Sequence, residues 1–192
     1  MEPQLLAAAK QHTGFAINNI VKEVLADMEY DTDELYHIEK NSADEIVDIT
    51  FDSRKLNELL YSSLNTIDES LLAAQDGKQD PTTKDVFYED GILYQVPLGY
   101  LTHLFFLYDK GPAINVHMRM LNDVTGDIKT DIQAYGINSV MVNISLVVKV
   151  NAQVITVLST SELENECEIP LVLQIINGKV PTYSPYISSG NS

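Results

Sequence analysis

The chain has 192 residues, of which 45% are hydrophobic, and it carries a formal net charge of −16 from 12 basic and 28 acidic residues. This length and composition are typical of one globular domain with a sizeable core. The charge excludes nucleic acid as a natural partner and predicts long-range repulsion from anionic lipid headgroups. A basic partner fits these totals better, as does a polar zone that simply requires solubility.

The single cysteine, Cys167, excludes an intrachain disulfide. No apolar run reaches the length of a membrane-spanning helix, and the opening residues lack the basic start and apolar core of a signal peptide. We would expect the same opening in a chain trimmed just after a membrane anchor, so this pattern fits both cases.

The first 83 residues contain two helical patterns on either side of a hairpin. Apolar residues at helical spacing predict a helix over 4–28, and two alternating runs around a polar turn predict a hairpin over 34–51. Asp52 or Ser53 is expected to cap a second amphipathic helix over 53–75, which a polar loop over 75–83 follows. Eleven acidic residues crowd the stretch from Glu23 to Asp52.

The β-rich part is predicted over 84–180, with a flexible tail over 184–192. Two short strands are expected around the turn at Asp90 and Gly91, and strands with apolar even positions are expected after Pro112. The run from Ser139 to Val157 shows the alternation of a half-buried strand, with apolar residues at its even positions. A last strand is predicted to place on one face the side chains of Cys167, Ile169, Leu171, Leu173 and Ile175.

The run over 139–157 is too long for a flat strand in a compact chain. It would extend for about 60 Å, whereas a folded chain of this length has a radius of gyration of about 16 Å. We therefore predict a single α+β domain over 1–192, with two amphipathic helices packed against a long, curved antiparallel β-meander. An elongated, rod-like domain is the alternative.

No sequence pattern indicates a catalytic or metal site. The four histidines are scattered without the spacing of metal ligands, and Cys167 lies between two glutamates, which disfavours a reactive thiolate. Nucleotide-binding and nucleophile-elbow motifs are absent from the sequence, and the acidic residues do not form a recognisable catalytic pair. The sequence predicts no enzyme activity, no cofactor and no metal.

An apolar segment over 98–108 is the candidate binding surface. It contains too many apolar side chains for one helix face to hide. Core packing under the sheet is the simpler interpretation of its aromatic residues. The side chains left over on other faces predict an exposed apolar contact surface, formed by Tyr100, Phe106, Leu107 and Tyr108.

Several motifs resemble the YunB family of sporulation proteins. They are VPLG at 96–99, GPAINV at 111–116, YGIN at 135–138 and the closing IPLVLQIINGKVPTY at 169–183. The helix AAAKQHTGFAINNIVKEVL at 7–25 is also similar to a helix of that family, so the resemblance covers nearly the whole chain.

The resemblance implies a non-enzymatic sporulation protein of Firmicutes. Its members carry a membrane anchor before this helix, which implies an extracytoplasmic domain tethered to the cell membrane by an anchor that this sequence lacks. The implied partner is an unknown protein of the sporulation envelope. A helix wrapped by a curled sheet also resembles tubular lipid-binding domains, so an apolar-ligand or lipid carrier is the alternative. A filled interior favours the first function, and an open apolar groove favours the second.

Overall fold

The computed structural model describes residues 2–42, 44–99, 106, 110–134 and 139–177. Two helices, α1 and α2, and seven strands, β1 to β7, are present in these ranges. The helices are α1 (Glu2–Ala26) and α2 (Ser53–Gln75), and a two-stranded sheet of β1 (Tyr36–Lys40) and β2 (Ile46–Phe51) lies between them in the sequence. The remaining strands are β3 (Ile92–Pro97), β4 (Ala113–Met120), β5 (Thr125–Ala134), β6 (Ser139–Ile155) and β7 (Thr160–Asn177).

The five later strands form one curled antiparallel sheet, in which β6 is the central strand. β3 pairs with β4, while β4 and β5 lie end to end along the same edge of β6, and β7 pairs with the other edge of β6 along its whole length. With two helices packed on this sheet, the predicted fold class of helices on a long antiparallel meander is confirmed.

The start of α2 follows from its cap. The Asp52 carboxylate accepts hydrogen bonds from the backbone N–H groups of Arg54 and Lys55, both at 3.0 Å. These N–H groups have no partner within the helix, so the cap stabilises the first turn. Of the two caps that the sequence offered, Asp52 is the one used.

A break separates β4 from β5 on the edge of β6. Residues 121–124 lie opposite only two residues of β6, so the ladder is interrupted and the strand bends. Side chains of α2 accept the hydrogen bonds that the ladder loses, because Gln75 Oε1 lies 2.7 Å from the Met120 N atom and Asp68 Oδ1 lies 3.1 Å from the Val124 N atom. The bend is therefore built jointly by strand and helix.

The even face of β6 is the centre of the core. Its side chains from Val142 to Val154 are buried, and both helices pack over them. This confirms the alternation predicted for the even positions. The sheet of β1 and β2 covers the start of β6 and the end of β7. This second cluster contains Leu35, Tyr36, Leu56, Leu59, Val142, Ile144, Val172 and Ile176.

The single buried face predicted for the last strand is wrong beyond Leu171. The register with β6 shifts by one residue there, since Ile144 pairs with Val172 and Ser145 pairs with Pro170. This bulge turns Val172 inward and leaves Leu173 67% exposed. Ile175 also faces outward and is exposed, whereas Ile176 is buried. The Tyr30 hydroxyl donates a hydrogen bond of 3.1 Å to the Leu171 carbonyl at the bulge.

Two further strand predictions need correction. Only β3 forms around Asp90 and Gly91, because the preceding residues make bends and a 3-10 turn that packs on the end of α2. A side chain at Gly91, where φ is +65°, would collide with the Gln75 carbonyl. The long strand ends at Ile155, two residues earlier than the alternation predicted. The YGIN motif at 135–138 and the tail predicted over 184–192 lie outside the described residues.

Candidate functional site: the apolar end of the sheet

Two connections leave the sheet at the same end. Ile155 pairs with both His117 and Thr160, so the β6–β7 turn begins just beyond this row. From the same row β4 extends back to Ala113, and the loop that joins β3 to β4 extends still further, with the Leu98 N–H bonded to the Pro112 carbonyl at 2.9 Å. The apolar end is defined here by Leu98, Phe106, Val157 and Leu158.

The β6–β7 turn holds two apolar side chains in solvent. The buried Thr156 closes the turn, because its N–H donates to the Ser159 carbonyl at 2.9 Å and its Oγ1 accepts from the Ser159 N–H at 3.0 Å. Val157 and Leu158 occupy the two central positions and are 78% and 54% exposed. Central turn positions in hairpins normally carry glycine, asparagine or aspartate, so this choice has no explanation in turn chemistry.

The β3–β4 loop adds apolar surface at the same end. Leu98 is 43% exposed and Phe106 is 60% exposed. Phe106 is the one member of the predicted contact surface that the structure describes, since Tyr100, Leu107 and Tyr108 lie outside the described residues. The predicted surface as a whole stays a prediction.

The first half of α1 packs beneath this end. Ala9 belongs to a buried cluster with Val96, Ile114, Val116 and Val154, which joins the helix to three strands. The His12 ring stacks on the Tyr94 ring with a centroid distance of 4.3 Å. This contact makes His12 a packing residue of the helix, and a small cavity of about 180 Å³ lies beside the stacked pair.

The opposite end of the sheet is polar and acidic. A groove of about 710 Å³ lies between β1, β2 and the start of α2, and three of its charged lining residues, Glu34, Asp52 and Lys55, make structural contacts. Lys55 Nζ lies 2.6 Å from Glu34 Oε2, and this hydrogen bond raises the pKa of Lys55. The backbone N–H of Lys55 lowers the pKa of the Asp52 carboxyl, which acts as the helix cap. The contacts described in this groove therefore serve to stabilise the fold.

Reactive and metal-binding side chains do not cluster elsewhere in the described part of the chain. Cys167 is buried, and this burial raises the pKa of its thiol, with Lys22 opposing the effect. Among the described side chains, no group of three or more histidine, cysteine, aspartate or glutamate residues is placed to hold a metal ion. The helices in the described ranges are too short or too polar to span a bilayer.

Sequence reasoning missed Val157 and Leu158. The alternation through Val157 predicted a continuing strand, which hides the turn. A usable signal was present, because the polar run Ser159, Thr160 and Ser161 follows two apolar residues where a hairpin must reverse.

The described fold is that of an α+β protein with two helices on a curled antiparallel sheet, and comparison with known proteins finds the chain similar to sporulation proteins. The model of the family described as "Sporulation protein YunB (Spo_YunB)" matches residues 93–183, which begin in β3 and include all of β4 to β7. The chain is also 24% identical to sporulation protein YunB of Bacillus subtilis (strain 168) over 192 residues, covering 100% of this chain and 74% of that protein. The resemblance of this chain to the YunB family of sporulation proteins is thereby confirmed. No solved structure matches it.

Proposed function

We propose that the chain is the extracytoplasmic domain of a non-enzymatic sporulation protein, normally tethered by an N-terminal membrane anchor. In this proposal it acts through contacts with proteins or envelope surfaces during spore formation. The match to a sporulation protein along the full length of the chain carries the proposal. The exposed apolar end supports action through a surface, because large apolar side chains in solvent favour binding.

The packed interior favours this function over a lipid carrier. A carrier needs an apolar groove between the helices and the sheet that can admit an acyl chain. The side chains at that position are at most 1% exposed and contact one another directly, namely Ile20, Val24, Ile67, Leu71, Leu146 and Val148. The described interior is thus occupied by the protein's own side chains.

The role in sporulation is tested by deletion and complementation in the spore former that encodes the chain. We expect deletion to reduce the yield of heat-resistant spores, and the wild-type gene to restore it. The variant Ile144→Asp serves as a loss-of-fold control, since Ile144 is fully buried. A deletion strain with a normal spore yield would contradict the proposed role.

The side of the membrane is tested by cysteine labelling in sporulating cells. Val47 lies in an exposed position of β2, so Val47→Cys in a Cys167→Ser background places one accessible thiol on the domain. A membrane-impermeant maleimide should label it before the membrane is permeabilised. The wild-type protein is the matched control, because its buried Cys167 should resist labelling. Labelling of Val47→Cys only after permeabilisation would place the domain in the cytoplasm.

A further inference from the structure

We propose that the apolar end is a bilayer-contact surface, which inserts Val157 and Leu158 of the β6–β7 turn into the lipid interface. For its cellular meaning this inference rests on the proposed extracytoplasmic location. Binding of the domain to lipid does not depend on that location and can be measured on the purified chain.

The turn presents its apolar side chains in a fixed orientation. Thr156 and Ser159 share three hydrogen bonds across the turn, so the backbone that carries Val157 and Leu158 is already ordered in solution. Insertion of these side chains then costs little additional conformational entropy. It removes from water two large side chains that folding leaves exposed.

Acidic charge is densest at the end of the sheet opposite the apolar end, although the exposed Glu162 and Glu164 of β7 lie close to the β6–β7 turn. In the sequence, the connections 98–112 and 156–159 contain one acidic residue, Asp109, and one basic residue, Lys110. The stretch 27–55 contains ten acidic and three basic residues. That stretch lies at the opposite end of β6, where Leu35 and Tyr36 pack against Val142 and Ile144.

Distance keeps the acidic end from opposing contact with an anionic surface. The 17 residues of β6 separate the two ends by a path of about 55 Å. Charges are screened over about 8 Å at physiological ionic strength. Repulsion from anionic headgroups is therefore strongest when the acidic end itself approaches the bilayer, which favours approach by the less acidic apolar end.

The size and shape of the surface favour a bilayer over a protein partner. A stable protein interface buries about 800 Å² on each partner. The exposed apolar side chains that the structure describes at this end are few, and they belong to two separate connections of the sheet. A lipid interface needs no complementary shape, because the acyl chains adapt to the inserted side chains.

The first test measures binding of the full chain to sucrose-loaded vesicles of phosphatidylethanolamine and phosphatidylglycerol at millimolar lipid. The double variant Val157→Ser, Leu158→Ser should fold normally, because both side chains are exposed, and should lower the partition coefficient about tenfold. The matched control Val47→Ser removes an exposed apolar side chain from the acidic end and should bind as the wild type does. Equal binding of all three proteins, or no binding of the wild type, would overturn the proposal.

The second test uses the fact that the chain contains no tryptophan. Leu158→Trp provides a single fluorophore at the apolar end, and its emission should shift to the blue and be quenched by brominated lipids. Val47→Trp should stay solvent-like under the same conditions. A shift at Val47→Trp alone, or dimerisation without lipid that depends on Val157 and Leu158, would assign contact elsewhere or to a second copy and overturn the proposal. The proposed function is tested separately by the spore yield, so either of these results would leave it unaffected.

Discussion

At the scale of single residues, Asp80 organises the loop that follows α2. It is fully buried, and its Oδ1 atom accepts hydrogen bonds from the Thr82 and Thr83 N–H groups at 2.9 and 2.6 Å and from the Thr83 hydroxyl at 3.1 Å. We expect Asp80→Ala to lower the free energy of unfolding by about 1–3 kcal/mol, because buried donors lose their acceptor. Urea unfolding measures the change, and Asp85→Ala, at an exposed position of the same loop, is the control.

The same carboxylate predicts a pH dependence. Burial works to raise the pKa of Asp80, but the hydrogen bonds from Ser70, Thr83 and Thr82 outweigh it and lower the pKa below the ordinary value. The stabilisation is therefore complete above the ordinary pKa and is lost as the pH falls toward the folded-state pKa. The stability difference between wild type and Asp80→Ala should shrink on acidification. A difference that grows in acid would show that the carboxylate does not stabilise the loop.

At the scale of elements, α2 supports the bend between β4 and β5. Asp68→Ala removes the acceptor of the Val124 N–H and should destabilise the protein by about 1 kcal/mol. Glu69→Ala, at the neighbouring exposed helix position, should change the unfolding free energy by less than about 0.5 kcal/mol. Equal effects would mean that solvent replaces Asp68 without cost.

The bulge in β7 predicts that Val172 contributes more to stability than Leu173, whereas simple alternation predicts the reverse. Val172→Ala should cost about 1–3 kcal/mol, because Val172 is buried, whereas Leu173→Ala should be nearly neutral despite removing a larger side chain. Thermal or urea unfolding of the two variants decides the matter. A larger loss of unfolding free energy for Leu173→Ala would instead support the uninterrupted strand that the sequence alone predicted.

At the scale of the whole molecule, the net charge of −16 is unevenly distributed, because the stretch 27–55 has ten acidic and only three basic residues. Within the β1–β2 sheet, Glu39 and Asp48 lie directly opposite each other as a like-charge pair. We expect Asp48→Asn to stabilise the protein by about 0.2–1 kcal/mol at low salt, because it removes this repulsion and keeps an oxygen that can accept from the Ile49 N–H.

The salt dependence identifies the cause. Added sodium chloride should raise the unfolding midpoint of the wild type more than that of Asp48→Asn, so that the two converge as screening increases. The exposed variant Asp123→Asn, outside the acidic end, is the matched control for loss of one charge. A salt-independent gain in Asp48→Asn would point to β-propensity instead of electrostatics.

The helices, the buried even face of β6 and the resemblance to the YunB family could all be predicted from the sequence, because they depend on periodicity, caps and motifs that neighbouring residues carry. The Asp52 cap and the alternation around Ile144 are read locally. Part of the candidate surface also followed from composition, since the aromatic excess of 98–108 pointed to Phe106.

Only the tertiary structure decided the register and which apolar residues remain in water. The bulge at Leu171 depends on the pairing of β7 with β6 and on the Tyr30 hydroxyl, which lies far away in the sequence. Val157 lies in the run that the sequence predicted as one strand, but it is exposed because Thr156 and Ser159 turn the chain there. Burial is a property of what packs against a side chain, and for long strands those neighbours come from distant parts of the chain.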